Sequence, residues 1–182
     1  HFTEEASKSG GVWLLDSAIF QFQIFTFLLK NIPFDEWKGF VLQLMEILRP
    51  LNPSLVFFYR ENTEDAIRFL EEKRGVQFLE DIWNRDRQEP YYQGRPRGAE
   101  GQRQFLRDYA HAARNLFDRL DGRKRAVKII GRDWGACESE LLAFAGITRR
   151  PYPDLLPPNG TFRDENRGLA MTITGRELTD PR

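Results

Sequence analysis

Asp16 stands where an apolar run stops and a helical one begins: Gly11-Val12-Trp13-Leu14-Leu15-Asp16, then Ala18 to Leu29. A carboxylate ending a buried strand lies where open α/β sheets bind ligands, outside the carboxyl ends of their strands. The other chemistry-bearing groups are cationic. Residues 60–125 carry 15 basic side chains, 13 of them arginine, and the guanidinium fork grips phosphate in a bidentate way that lysine cannot. Arg74, Arg85 and Arg87 bracket a short charged segment, Phe78 to Arg87. Tyr91, Tyr92, Arg95 and Arg97 set aromatic faces beside charge, a combination that stacks a base or holds a phosphate. Gly131-Arg132-Asp133-Trp134 forms a further charged turn. Each group also has a plainer reading. Asp16 and Asp133 suit helix capping, and the arginines suit solvated i,i+4 pairs such as Asp81 with Arg85. The Tyr-rich loop suits simple packing on a neighbouring helix.

The totals narrow the function classes. Lys+Arg 27 balances Asp+Glu 27 over 182 residues, so no bulk attraction to nucleic acid or to an anionic membrane is indicated. Cys137 is the single cysteine, which excludes an intrachain disulfide and fits a reducing cytoplasm. The two histidines and the cysteine are too far apart in sequence to suggest a metal cluster. Ile19–Leu29 is shorter than the roughly 20 apolar residues that span a bilayer. The chain opens on His1 rather than methionine, as expected of a processed product, a truncated form or a fragment.

Three apolar runs read as strands: Val12–Leu15, Leu55–Tyr59 and Ala126–Ile130. None alternates in polarity, as expected for strands covered on both faces. Helical sequence lies between them. Residues 18–30 are apolar nearly all round, which predicts a buried helix, with Phe20, Phe22, Phe25 and Phe27 in the core. Asp35 suits the cap of a helix running to about Arg49, and Asn62 or Thr63 suits the cap of Glu64–Arg74. Phe78–Arg87 is a short helix, residues 88–98 a Pro- and Gly-rich loop, and Glu100–Leu120 a long helix. Phe105, Tyr109, Ala112, Ala113, Leu116 and Leu120 share one side of that long helix. A last helix spans Glu138 to about Ala145, closed by Gly146. From Thr148 a proline-rich connector leads to β segments at Gly160–Arg163 and Gly168–Thr174.

Strands alternating with long helical segments imply a parallel sheet. Strand-Asp16, a helix pair, Pro-Leu-Asn-Pro-Ser-Leu-Val-Phe-Phe-Tyr-Arg, Glu64-Asp65-Ala66-Ile67 and Lys73-Arg74-Gly75 together resemble the P-loop nucleoside and nucleotide kinase superfamily, its thymidylate-kinase-like and deoxynucleoside-kinase-like members most of all. The resemblance covers about residues 11–147. It implies an α/β domain over 1–147 with a three-layer parallel sheet of P-loop kinase type, followed by a short C-terminal β tail over 148–182. It further implies ATP and Mg²⁺ as cofactors, Asp16 as the Walker-B-type magnesium ligand, and Arg74, Arg85 and Arg87 as lid arginines over the transferring phosphates. Arg132 and Asp133 fall where such proteins contact adenine.

One part of the family pattern is missing. No G-x-x-x-x-G-K-[ST] occurs in these residues, although that loop supplies the phosphate cradle, the lysine and the magnesium-binding hydroxyl. In the family it follows a central strand lying between those read here at Leu14 and Phe57. The expectation is therefore a kinase-like fold lacking its N-terminal strands. The intact protein would transfer phosphate from ATP to a nucleoside, nucleotide or similar small acceptor in the cytoplasm, as monomer or homodimer, and residues 1–182 alone would be inactive. The rival expectation is a degenerate kinase-like domain that binds a protein partner and catalyses nothing.

Overall fold

A computed structural model describes residues 1–9, 12–131 and 133–148, and three strands within 160–179. The protein is α/β and mostly helical, divided into two compact units, His1–Leu141 and Leu142–Arg182. In chain order, α1 (Phe2–Ser9), α2 (Phe22–Leu29) and α3 (Phe34–Leu48) precede β1 (Ser54–Tyr59). Then α4 (Thr63–Arg74), α5 (Val76–Asp86) and α6 (Gly98–Arg119) lead to β2 (Arg123–Lys128) and α7 (Trp134–Ala145). The second unit contains an antiparallel sheet in the order β3 (Gly160–Asp164), β4 (Leu169–Thr174), β5 (Glu177–Thr179).

β1 and β2 run parallel, Ser54 opposite Arg123 through Tyr59 opposite Lys128. Phe57 and Ala126 form one pair of this ladder; Phe57 belongs to the main core cluster and the half-buried Ala126 packs against it. Phe57 stacks on Phe117 of α6 at 5.3 Å and tilts against Phe20 at 4.9 Å. The next pair, Phe58 with Val127, points to the opposite face. There Glu140 of α7 approaches Arg125, and the Cys137 thiol lies 4.0 Å from the Lys128 carbonyl.

The α6 stripe behaves as its periodicity predicts, with Phe105, Ala112, Ala113, Leu116 and Leu120 all buried. A second cluster joins Phe105 to Leu29, Tyr91 and Tyr92. The cap of α4 also forms as expected, Asn62 Oδ1 accepting the Glu64 N–H at 2.9 Å. No helix of the described residues is long and apolar enough to cross a membrane.

Three sequence expectations need correction. Val12–Leu15 forms no strand and pairs with none among the described residues, and it is solvated, with Val12 86% and Leu14 91% exposed. Trp13 instead folds back on α1, its ring 5.6 Å from that of Phe2 and its Nε1 donating to Ser9 Oγ. Strand character needs a neighbour to satisfy the backbone, and the described part of the sheet provides none here. The buried helix over 18–30 is cut to Phe22–Leu29, because Ser17 takes a left-handed φ of 59° and residues 18–21 form turns. Phe22 is 64% exposed rather than core. The last strand starts at Arg123, not Ala126. Gly122 turns at φ 101° and the Lys124 ammonium donates to the Phe117 and Asp118 carbonyls, closing the C-terminus of α6.

Candidate functional site

Asp16 lies in an exposed turn after the unpaired segment, with its Oδ1 accepting the Ser17 hydroxyl at 3.0 Å. The same hydroxyl lies 2.7 Å from Gln21 Oε1. Asp16 is therefore the only charged group of its turn, and among the described residues no ion pair or hydrogen bond joins it to Arg74, Arg85 or Arg87. Magnesium is commonly held by one or two carboxylates plus waters and substrate phosphates. One solvent-facing carboxylate fits that donor set only where phosphate oxygens come from elsewhere. Among the described residues no group of three or more His, Cys, Asp or Glu side chains is arranged to hold a metal.

The three arginines occupy different environments. Arg74 ends α4, exposed, with its guanidinium 4.7 Å from the Phe78 ring. Arg85 forms a bidentate pair with its neighbour Asp86, both bonds 2.6 Å. Asp86 is 9% exposed, and the hydrogen bond to it raises the Arg85 pKa. The expected partner, Asp81, takes an amide N–H from Gln77 instead. Arg87 is exposed just beyond α5.

Arg132 falls outside the described residues. Asp133 Oδ1 accepts the Ala136 N–H at 2.9 Å and so caps the start of α7. Its plainer reading holds.

The tyrosine loop is no open stacking platform. Tyr91 and Tyr92 form a short 3₁₀ turn with Pro90 and are 2% and 5% exposed. The Tyr91 hydroxyl donates to Asp108 at 2.6 Å and the Tyr92 hydroxyl to Gln102 Oε1 at 2.6 Å. Burial raises both phenols above their ordinary value, with the Asp108 carboxylate adding to the effect at Tyr91 and the Asp86 charge at Tyr92. Arg95 stacks its guanidinium 4.0 Å over the Tyr91 ring.

Much of the arginine of the middle segment braces helices. Arg107 binds Glu64 and Glu100, at 2.6 and 3.0 Å, and Arg103 binds Glu71 and Glu100, at 2.7 and 3.1 Å. These contacts tie α4 to α6.

At the carboxyl ends of β1 and β2 the chain gathers a charged cluster that residue patterns did not single out. Arg60 Nη2 donates to the Gly131 carbonyl at 3.3 Å, its guanidinium 5.0 Å from the Phe69 ring. Lys128 pairs with Glu61, and that hydrogen bond lowers the Glu61 carboxyl pKa and raises that of the Lys128 amine. Asp133 follows two residues after Gly131. The only prior signal was position, since Arg60 directly follows the strand-like run Leu55–Tyr59 and Lys128 lies within Ala126–Ile130. No family model, curated protein or solved structure matches this chain.

Proposed function

We propose that this protein serves ATP-dependent phosphoryl transfer to a nucleoside, nucleotide or similar small hydroxyl acceptor, as the acceptor-side part of a P-loop kinase fold working in the cytoplasm. The observation that supports it is two stretches of backbone left without a strand partner. Among the described residues β1 pairs along one edge only, and the apolar segment Val12–Leu15 stands solvated without a partner strand. A parallel strand carrying a phosphate loop, laid between them, would cover both and complete a three-layer sheet. It would also bring Asp16 to the same carboxyl edge as Arg60 and Asp133, where such sheets bind ligands.

In this reading Asp16 takes part in holding Mg²⁺, and the incoming loop supplies the cradle for ATP. Arg74 and Arg87, exposed and outside any ion pair among the described residues, supply lid charge. Arg85 must first leave Asp86, which makes it the weakest of the three assignments. Arg132 and Asp133 would border the adenine, with Asp133 doing so through the turn it caps.

The test is phosphoryl transfer from Mg-ATP to a panel of nucleosides and nucleoside monophosphates. It is run on the 182-residue chain and on the same chain with any residues its gene places ahead of His1. The short chain is expected to be inactive and the longer one active, with Asp16→Asn lowering turnover on the order of 100-fold. Turnover by the short chain, or an Asp16→Asn protein with full activity, refutes the proposal.

A second reading is a catalytically silent domain that binds a protein partner. It is favoured by the way Arg85 and Asp133 are consumed in local contacts. The absence of a Gly-rich loop from the longer chain, with no Mg-ATP binding, would decide for it.

A further inference from the structure

A cavity of about 300 Å³ opens between α2, α3, the Tyr91 turn and α6. It belongs to the first unit and uses none of the groups assigned to phosphoryl transfer. Its size is at the lower end of the range for small-molecule sites, which are mostly apolar with a few converging polar groups. The floor has that character: Leu28, Ile32, Phe34, Trp37 and Ala112. Trp37 is 2% exposed and held edge-on to Phe34 at 4.5 Å, so the aromatic wall is fixed before any ligand arrives.

The polar side carries opposite charges, with the exposed His111 ring also lining it. Arg95 and Asp108 both line the cavity, joined through Tyr91. Arg95 stacks on the Tyr91 ring and donates one N–H to the Tyr91 carbonyl. A guanidinium has five N–H donors, and Arg95 meets no carboxylate among the described residues. Its fork is thus available to an anion. Asp108 accepts the Tyr91 hydroxyl at one oxygen and the Gln104 amide at the other, 2.6 and 2.9 Å away. Both of its donors are neutral. A carboxylate offers about four lone-pair positions, so Asp108 keeps acceptor capacity. Asn31 and Asn115 add amides at the rim.

A phosphate or other polyanion would meet Asp108 as a like charge, and a simple amine would meet Arg95. A molecule with one carboxylate, one ammonium and an apolar body matches all three surfaces. We propose that this cavity binds a free α-amino acid with an apolar or aromatic side chain, its carboxylate on Arg95, its ammonium on Asp108 and its side chain against Trp37 and Leu28.

Calorimetric titration of the 182-residue chain with L-phenylalanine and L-leucine tests this. Two analogues serve as controls: 3-phenylpropionate, which lacks the ammonium, and phenethylamine, which lacks the carboxylate. The amino acids are expected to bind, and each analogue to bind about tenfold more weakly or worse, the loss of one charge-assisted hydrogen bond. Arg95→Gln should abolish the preference for phenylalanine over phenethylamine, and Asp108→Asn that over 3-phenylpropionate. The analogue series needs no variant, so it decides the matter even if a variant fails to fold. No binding of either amino acid in the millimolar range, or equal binding of phenylalanine and its analogues, overturns the proposal.

Discussion

Gly98 opens α6 at a φ of +64°, and a Cβ built there would lie 2.8 and 2.9 Å from the two carboxylate oxygens of Glu80. One of those oxygens is engaged: Glu80 Oε2 accepts the Ala99 N–H at 2.9 Å, capping the first turn of α6 from α5. Gly98→Ala therefore carries two costs. A left-handed conformation costs an L-residue about 1–2 kcal/mol. Pushing the carboxylate away forfeits a cap of about 0.5–2 kcal/mol. Together they come to about 1.5–4 kcal/mol, a fall in Tm of about 5–15 °C for a unit of this size.

Intrinsic fluorescence is the suitable probe, because Trp13, Trp37, Trp83 and Trp134 all lie within His1–Leu141. The second unit carries no tryptophan and is silent under tryptophan-selective excitation. A Glu80→Ala background separates the two costs: there the cap is already gone, and Gly98→Ala should cost only the strain, about 1–2 kcal/mol. A loss under about 0.5 kcal/mol in the parent chain would refute the steric reasoning. An equal loss in both backgrounds would refute the capping part.

Phe105 is fully buried, with ring centroids of Phe25, Tyr91 and Tyr92 at 4.8, 5.0 and 6.0 Å; Phe105→Ala should cost about 3–5 kcal/mol in urea unfolding, and a cost under about 1 kcal/mol would mean the second cluster is not packed as described. Tyr91, Tyr92 and Tyr109 are held above the ordinary phenol value of 10.0, chiefly by burial. Their raised folded pKa makes a contribution that is complete below pH 10 and is lost as pH rises through the folded values; in an ultraviolet titration they should ionise only together with unfolding, and uniform ionisation near 10 in the folded chain would contradict this. Hydrogen bonds from Arg107 lower Glu64 and Glu100 below the ordinary 4.5. Depressed carboxyls stabilise above that value and stop doing so as pH falls through the folded values, so the protection of α4 amides, taken relative to their intrinsic exchange rates, should drop more in acid in the parent than in Arg107→Gln, where the Arg107 part of the brace is absent throughout; identical profiles would count against it.

What could be read from the sequence was local. Asn62 caps α4 because a side chain two residues from an orphan N–H needs nothing else. The α6 stripe is buried because 3.6-residue periodicity alone decides which side meets a core. Val12–Leu15 shows the opposite case: strand propensity is a statement about neighbours, and nothing in those four residues tells whether a neighbour is present. Arg85 was read as an i,i+4 partner of Asp81, but the adjacent Asp86 lies on the buried side and takes its whole fork. The packing of Tyr91 and Tyr92 on a neighbouring helix is among the readings the loop offers, whereas the groups on α6 that take their hydroxyls, Asp108 and Gln102, cannot be picked from the loop's own residues. The candidate site follows this division. Its individual residues stand out in the sequence, and what they spend their charges on does not.

The parallel ladder of β1 and β2 has a consequence for synthesis of the chain. Each of its pairs joins residues 69 positions apart, from Ser54 with Arg123 to Tyr59 with Lys128. At roughly 5–20 residues per second on the ribosome, β1 waits roughly 3–14 seconds for the strand that completes it. Phe117, which stacks on Phe57, also arrives late, whereas Phe20 has already emerged. During that interval the aromatic face of β1 depends on the helices made before it for cover.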